Sequence, residues 1–217
     1  MYKNKSIQIS CDGGAATGKS TGANMIAHKY GLKFLSSGLL YRYASFLVLK
    51  YKPKNKISFL KKNFKNLNYN KLSKINLHSP EISEQSAIIA KVYAIRTILK
   101  KFQTNFSKKY KFCCIEGRDI STKILPNSDV KFFFKCNLNT AAKRRHRELK
   151  KINPKIKLKE VKKALRIRNI LDTKRKNSPL QKHKDSVSID SGKLNKRAML
   201  KKMSKYVERT IKLKYGN

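Results

Sequence analysis

The sequence predicts an α/β fold in which helices cover both faces of a five-stranded parallel sheet. Three observations predict it. Short apolar runs at residues 6–11, 32–35, 111–115, 130–134 and 187–190 alternate with longer segments of helical periodicity. The first run leads into Gly13-Gly14-Ala15-Ala16-Thr17-Gly18-Lys19-Ser20, a G-x-x-x-x-G-K-[ST] pattern placed between strand and helix, where it has physical meaning. A second small polar turn, Ser36-Ser37-Gly38, follows the second run and opens another helix, which suggests two substrate-facing edges on one sheet.

A chain of 217 residues can bury a substantial core, as one domain with appendages or as two small domains. Its 40% hydrophobic content excludes wholesale disorder. No run approaches the ~18 apolar residues of a membrane span, and the N-terminal strand carries loop glycines rather than a signal-peptide cleavage region. A soluble cytoplasmic protein without membrane contact is expected. Lys and Arg number 53 against 12 acidic residues, a formal charge of +41. That charge draws polyanions, but the lysines run through nearly every segment, so incidental polyanion adhesion is expected rather than a dedicated nucleic-acid face. Cys11, Cys113, Cys114 and Cys136 lie in or beside apolar runs without metal-ligand spacing and read as buried thiols. The histidines at 28, 78, 146 and 183 form no cluster, so neither zinc nor a histidine base is indicated.

Taken in order, Ser6 to Cys11 is the first strand, ended by Asp12-Gly13-Gly14. The helix from Ser20 to Tyr30 stops at Gly31, and a second, Tyr41 to Tyr51, stops near Pro53. Lys54 to Ser79 is rich in lysine and asparagine with scattered apolar residues, and reads as a small, partly mobile insertion with no element assigned. Ile82, Ile89, Val92, Ile95, Ile98 and Leu99 form an interrupted stripe that predicts one long helix over Glu81 to Phe102, begun after Pro80. The run Lys111 to Ile115 delivers Glu116-Gly117-Arg118-Asp119 to a strand's carboxyl end, where ligands bind in open α/β sheets. After the strand Val130 to Phe134, Asn139 or Thr140 caps a helix carrying Arg144, Arg145 and Arg147. The basic tract Lys150 to Lys159, with Pro154, suits a hinged excursion. Spacings of four and three then put Arg168, Asp172 and Arg175 on one face of a helix over Leu158 to Lys174. Val187 to Asp190 is the last strand, and Asn195 to Lys214 a closing helix.

The glycine-rich turn carries the first chemical inference. Glycines let consecutive backbone N–H groups face a phosphate, and the following helix adds its unpaired N-terminal donors. Lys19 then reaches the β- and γ-phosphates, and the Ser20 hydroxyl holds Mg²⁺. Such a loop does not separate an ATPase, a switch protein and a transferase. The basic groups at strand ends favour a transferase: moving a phosphoryl group onto another phosphate brings two anions together, and arginines neutralise their repulsion. Arg118 beside Asp119 sets a donor next to an acceptor, as reading a nucleobase or ribose requires. No general base is needed where the nucleophile is already a phosphate oxygen.

The blocks Asp12 to Thr21, Ser37-Gly38-Leu39-Leu40-Tyr41-Arg42, Glu116 to Thr122 and Arg168-Asn169-Ile170-Leu171-Asp172-Thr173-Lys174-Arg175 together make the chain resemble the bacterial cytidylate kinases, P-loop nucleoside monophosphate kinases, along most of residues 6 to 214. Ser178-Pro179-Leu180, Asp185 and Ile189-Asp190-Ser191 follow in the family's order. The resemblance implies a three-layer P-loop kinase fold. Its core would comprise 1–42, 81–149 and 161–217, interrupted by a monophosphate-binding insertion at 43–80 and a short basic lid at 150–160. It implies ATP and Mg²⁺ as cofactors, CMP or dCMP as acceptor, CDP or dCDP with ADP as products, and a monomer. Gly13, Gly14, Ala15, Ala16, Thr17, Gly18, Lys19, Ser20 and Thr21 would hold ATP, with Ser20 on the metal. Arg42, Arg118 and Arg168 match the arginines gripping the CMP phosphate, and Arg175 one bridging toward the transfer point. Asp172 matches the carboxylate holding the sugar, and Arg96 and Asp119 the residues reading cytosine. Tyr41 matches an aromatic beside the nucleotide, Ser37 a small contact residue, and Arg144 a helix arginine approaching the donor. With Lys19, the arginines 144, 168 and 175 make the expected catalytic set.

Departures from the family pattern stand at Ser36 (a usual Asp), Ala87 (a usual Ser, with Ser86 adjacent), Ser121 (a usual Gly), Asn169 (a usual Asp) and Ala141 (a usual Arg). They motivate an alternative, a P-loop kinase with altered monophosphate choice. The charge motivates another, a non-catalytic P-loop-derived nucleic-acid-binding protein.

Overall fold

The structure, a computed structural model, describes residues 5–216; the first four residues of the expected 1–42 segment and residue 217 lie outside the described residues. Five strands form one sheet: β1 (Ile7–Gly13), β2 (Lys33–Ser36), β3 (Phe112–Gly117), β4 (Val130–Lys135) and β5 (Val187–Asp190), in the order β2-β3-β1-β4-β5. The β1–β3, β1–β4 and β4–β5 pairs are all parallel. All five predicted strands are present, within a residue or two at each end. Because β1 lies between β3 and β4, the chain changes direction across the sheet there, and the carboxyl ends of strands at such a switch point are where open α/β sheets bind ligands.

Eight α-helices are described: α1 (Lys19–Lys29), α2 (Ser37–Tyr51), α3 (Lys56–Lys65), α4 (Pro80–Ile89), α5 (Tyr93–Lys109), α6 (Leu138–Lys150), α7 (Leu158–Lys174) and α8 (Lys196–Tyr215). The residues divide into two compact units, one running through Leu35 and resuming at Tyr110, the other Ser36–Lys109. In the first, strand alternation sends Ile7, Ile9 and Cys11 of β1 to one face. There they join Phe132 and Phe134 of β4, Ala23, Ile26 and Ala27 of α1, and Met199, Met203 and Val207 of α8 in a buried core. A smaller cluster packs Ala141, Ala142 and Leu149 of α6 against Val161 and Leu165 of α7, with Ala15 of the glycine-rich turn. Among the described residues no helix is long and apolar enough to cross a membrane.

The second unit is helical. Its interior holds Leu60, Leu72, Leu77 and Leu99, all fully or almost fully buried, and Phe64 packs between Tyr43 and Phe102 with ring centroids 5.8 and 6.2 Å away. Here the structure corrects the sequence reading. The single helix expected over Glu81 to Phe102 is two helices, α4 and α5, separated at residues 90–92. The amides of Lys91 and Val92 bond back three residues to Ile88 and Ile89 at 3.0 Å, closing a tight turn. Its cause is in the spacing: Ile95 stands six residues beyond Ile89, roughly 120° away around a continuous helix, so one straight helix cannot bury both. The break lets Ile82, Ile89, Ile95 and Leu99 all go inside while Ile88 and Val92 stay exposed.

The tract left unassigned also folds. Asn55 caps α3, its side chain accepting from Ser58 N at 3.0 Å, and Tyr69–Lys74 forms a 3-10 turn. The helix α2 starts at Ser37 rather than Tyr41 because the Ser36 hydroxyl accepts from Leu39 N at 3.4 Å. The cap of α6 is Asn137, not Asn139 or Thr140: its side chain accepts from Thr140 N at 2.8 Å, which makes Thr140 the third residue of the helix.

Candidate active site

The glycine-rich turn leaves β1 at its carboxyl end and enters α1. A Cβ on Gly13 would lie 2.5 Å from the Phe134 carbonyl oxygen, so only glycine lets β1 run this close to β4 at the turn. Gly18 caps α1 with φ 73°, a left-handed conformation that glycine takes without strain. The turn is braced internally and from outside. Thr17 Oγ1 donates to Gly14 O at 3.0 Å, and Ser191 Oγ, just past β5, donates to Thr17 O at 2.7 Å. Arg144 of α6 fixes Ser191 in turn, donating to its Oγ at 2.9 Å and its carbonyl at 2.6 Å. Ala15 N donates to Asn169 Oδ1 of α7 at 3.3 Å. Ser20 and Thr21, at the start of α1, are exposed, so the Ser20 hydroxyl is open to a metal or phosphate.

Lys19 is buried and donates to the Glu116 carboxylate, itself buried at the end of β3. Burial lowers the Lys19 pKa, and Glu116 works against that shift. Near the end of β1, Asp12 organises the exit from β3. Its carboxylate, with no exposed surface, accepts from Ile120 N at 2.8 Å, Ser121 N at 2.7 Å and Ser121 Oγ at 2.5 Å. Burial still raises the Asp12 pKa against the pull of these three donors. These bonds fix the short π-helical turn Ile120–Ile124 and with it the preceding Asp119.

Arg118, Asp119, Arg168, Asp172 and Arg175 gather beside this edge. Arg118 Nε donates to Asp172 Oδ2 at 2.8 Å, and the Arg175 guanidinium lies 3.6 Å from Asp172 and 3.8 Å from Asp119, so Asp172 sits among arginines. Burial raises its pKa, but Arg118, Arg168 and Arg175 outweigh that and hold it below the ordinary carboxylate value. Burial works against the Arg118 charge too, and Asp172, with Glu116 and Asp12, more than restores it. Arg168 is the exception. Burial and the neighbouring Arg118 push its pKa down to about 10, and its Nε is shut off from solvent with no hydrogen-bond partner among the described residues. The residue as a whole is half-buried, so the guanidinium still offers donors to an anion.

The other sequence-predicted residues, Ser37, Tyr41, Arg42 and Arg96, belong to the second unit. Arg96 is buried, donates to Ala90 O at 3.2 Å and lies 5.7 Å from the Tyr41 ring centroid. Arg42 contacts Leu77 O at 3.2 Å and His78 Nδ1 at 2.8 Å. Ser37 Oγ accepts from Gln103 Nε2 at 2.7 Å.

A family model described as Cytidylate kinase matches residues 9–209. The chain belongs to the cytidylate kinase family. The cytidylate kinase of Mesomycoplasma hyopneumoniae (strain 7448) is 33% identical over 219 residues, covering 95% of this chain and 96% of that protein. The cytidylate kinase of Bartonella tribocorum (strain CIP 105476 / IBS 506) is 34% identical over 214 residues, covering 96% and 98%. The fold matches the crystal structure of an uncharacterized protein from Eubacterium ventriosum ATCC 27560, with a TM-score of 0.55 at 16% identity, covering 93% of this chain and 98% of that one. The five-stranded parallel sheet with flanking helices is the three-layer fold that the sequence predicts.

The positions that the sequence marks as expected departures from the cytidylate kinase pattern have visible occupations. Ser36 caps α2, Ala141 is buried in the α6–α7 cluster, and the Ser121 hydroxyl reaches Asp12. Ser86, beside Ala87, is buried and donates to Ser83 O at 2.7 Å. Sequence reasoning missed the partners Glu116, Asp12, Ser191 and Asn169. No sequence signal pairs them with these groups: Glu116 lies 97 positions from Lys19 and meets it because β3 runs beside β1.

Proposed function

We infer that this chain transfers the γ-phosphoryl of ATP to CMP or dCMP, giving ADP and CDP or dCDP. The observation that carries it is Arg168, a half-buried guanidinium next to Arg118 whose Nε has no hydrogen-bond partner among the described residues, on the same unit as the glycine-rich turn. That pairing provides a strong anion site close to a second phosphate-binding element, as phosphoryl transfer between two nucleotides requires.

The donor set fits ATP and Mg²⁺: backbone amides from Gly13 to Thr21, the Lys19 ammonium and the open Ser20 hydroxyl. ATP·Mg²⁺, when bound, supplies the phosphoryl group and part of its charge neutralisation. Lys19 offers its ammonium to the donor phosphates in place of Glu116. Arg42, Arg118 and Arg168 hold the acceptor phosphate, while Arg175 and Arg144 balance charge toward the transfer point. Asp172 accepts from sugar hydroxyls, and Asp119 with Arg96 reads the cytosine edge, the carboxylate accepting from the exocyclic amine. Ser37 and Tyr41 complete the acceptor pocket. The segment 43–80 serves monophosphate binding, and 150–160, between α6 and α7, is the lid that excludes water. The chain acts as a monomer. A cytoplasmic setting fits its free cysteines, and polyanion adhesion is incidental.

A second reading, relaxed choice of acceptor base, is favoured by one observation: Ala87 has no hydroxyl, and that of Ser86 is spent within its own helix. Turnover of CMP, dCMP, UMP, AMP and GMP with ATP·Mg²⁺ tests both. CMP and dCMP are expected to be fastest, and faster turnover of another monophosphate overturns the assignment. Asp119→Ala should harm acceptor selection more than ATP binding, and unchanged CMP affinity and selectivity would remove Asp119 from the base-reading role.

A further inference from the structure

The amide of Ala15, third in the glycine-rich turn, already has a partner. Asn169, in the middle of α7, accepts from it at 3.3 Å. The same amide oxygen lies so close over the turn that a Cβ on Gly14 would come within 3.1 Å of it. Asn169 is half-buried and held by its helix, whose next turn returns Thr173 Oγ1 to the Asn169 carbonyl at 2.9 Å. A loop of this sequence receives phosphate oxygens on its backbone N–H groups. The Asn169 side chain and a donor phosphate therefore compete for one of those groups.

We propose that Asn169 sets the donor-nucleotide affinity of this chain by occupying the Ala15 amide until a phosphate displaces it. This rests on the reading of the turn as the ATP site. The side-chain chemistry defines the strength of the competition. A neutral amide oxygen is a weaker acceptor than a phosphate oxygen, so the exchange runs downhill once nucleotide arrives. A carboxylate of the same shape would hold the Ala15 N–H more strongly and would also repel the triphosphate. The long 3.3 Å bond limits the effect to the lower range for one hydrogen bond. The contact also ties α7, which carries Arg168 and Asp172, to the turn. Filling the turn releases that tie.

The test is calorimetric titration of ADP·Mg²⁺ into the wild type, N169A and N169D, with folding checked by circular dichroism. Removing the competitor should tighten ADP binding in N169A by roughly two- to threefold. N169D should bind ADP more weakly than the wild type, and the deficit should shrink as salt is raised. Unchanged or weaker binding by N169A overturns the proposal, as does N169D binding as tightly as the wild type. If the affinity order holds but the wild type does not phosphorylate CMP, the role of Asn169 stands and the kinase reading falls. If neither the wild type nor N169A binds ADP, both fall.

Discussion

Arg118 and Asp172, 54 positions apart, are joined by a 2.8 Å hydrogen bond from Nε to Oδ2 with both side chains largely buried. The pair ties the exit of β3 to α7, so its energetics can be read in stability. The folded pKa of Asp172 is depressed below its ordinary 3.8. A depressed acid contributes stability that is present above its unfolded pKa and lost as pH falls through the folded one. Asp172→Asn should cost about 3 kcal/mol near pH 7, because Arg118 is left buried beside a neutral group. The deficit should shrink at an acidic pH below the depressed folded value, where the wild-type carboxylate is also protonated. Urea unfolding at the two pH values measures it, and a deficit independent of pH would mean that the ion pair is not its source.

The Lys19–Glu116 pair predicts a compensated double variant. Both groups are buried, so Lys19→Ala strands a carboxylate and should cost about 3 kcal/mol in addition to abolishing turnover. Glu116→Gln in the same chain should return most of the stability and none of the activity, giving a coupling energy above about 1 kcal/mol in a double-mutant cycle. Additive losses would show that the two side chains do not lean on each other.

Arg168 predicts a gain. Its pKa of about 10 lies below that of an ordinary guanidinium, so the folded chain bears a cost for this charge at neutral pH, and that cost is relieved only as pH rises through the folded value. Arg168→Met should raise the unfolding free energy by about 1 kcal/mol while removing CMP binding. CMP should raise the melting temperature of the wild type and leave that of the variant unmoved. A variant less stable than the wild type would mean that Arg168 already has its stabilising partners.

The layout of the molecule was legible because its signals are local. Five apolar runs of strand length, the turn at Gly13 to Ser20 and the spacing of Arg168, Asp172 and Arg175 each lie within one short stretch. What could not be read was tertiary. Ile89 and Ile95 look like one stripe until both must be buried, and then the helix breaks between them. Lysines around Leu60 and Phe64 hide a four-residue spacing that the fold nevertheless buries. Within the site, the residue types were readable but their partners were not. Arg118 reads as the companion of its neighbour Asp119 yet bonds to Asp172, and nothing near Lys19 in sequence announces Glu116, 97 positions away.

Ser121 offers the last prediction. Its hydroxyl donates to Asp12 at 2.5 Å and its amide to the same oxygen at 2.7 Å. Burial has raised the Asp12 pKa, so the folded state is penalised for the charged form, and stability contributed by this site falls as pH rises through the folded value. Ser121→Ala removes one of the donors that soften that penalty and should cost about 1–3 kcal/mol near neutral pH. The loss should narrow on acidification toward pH ~4, as Asp12 takes up its proton and needs its donors less. Asp119 sits two residues before Ser121, so the KM for CMP should rise in Ser121→Ala while the KM for ATP stays within about twofold. Equal stability of the two chains across this pH range would show that the hydroxyl contributes nothing to holding the turn.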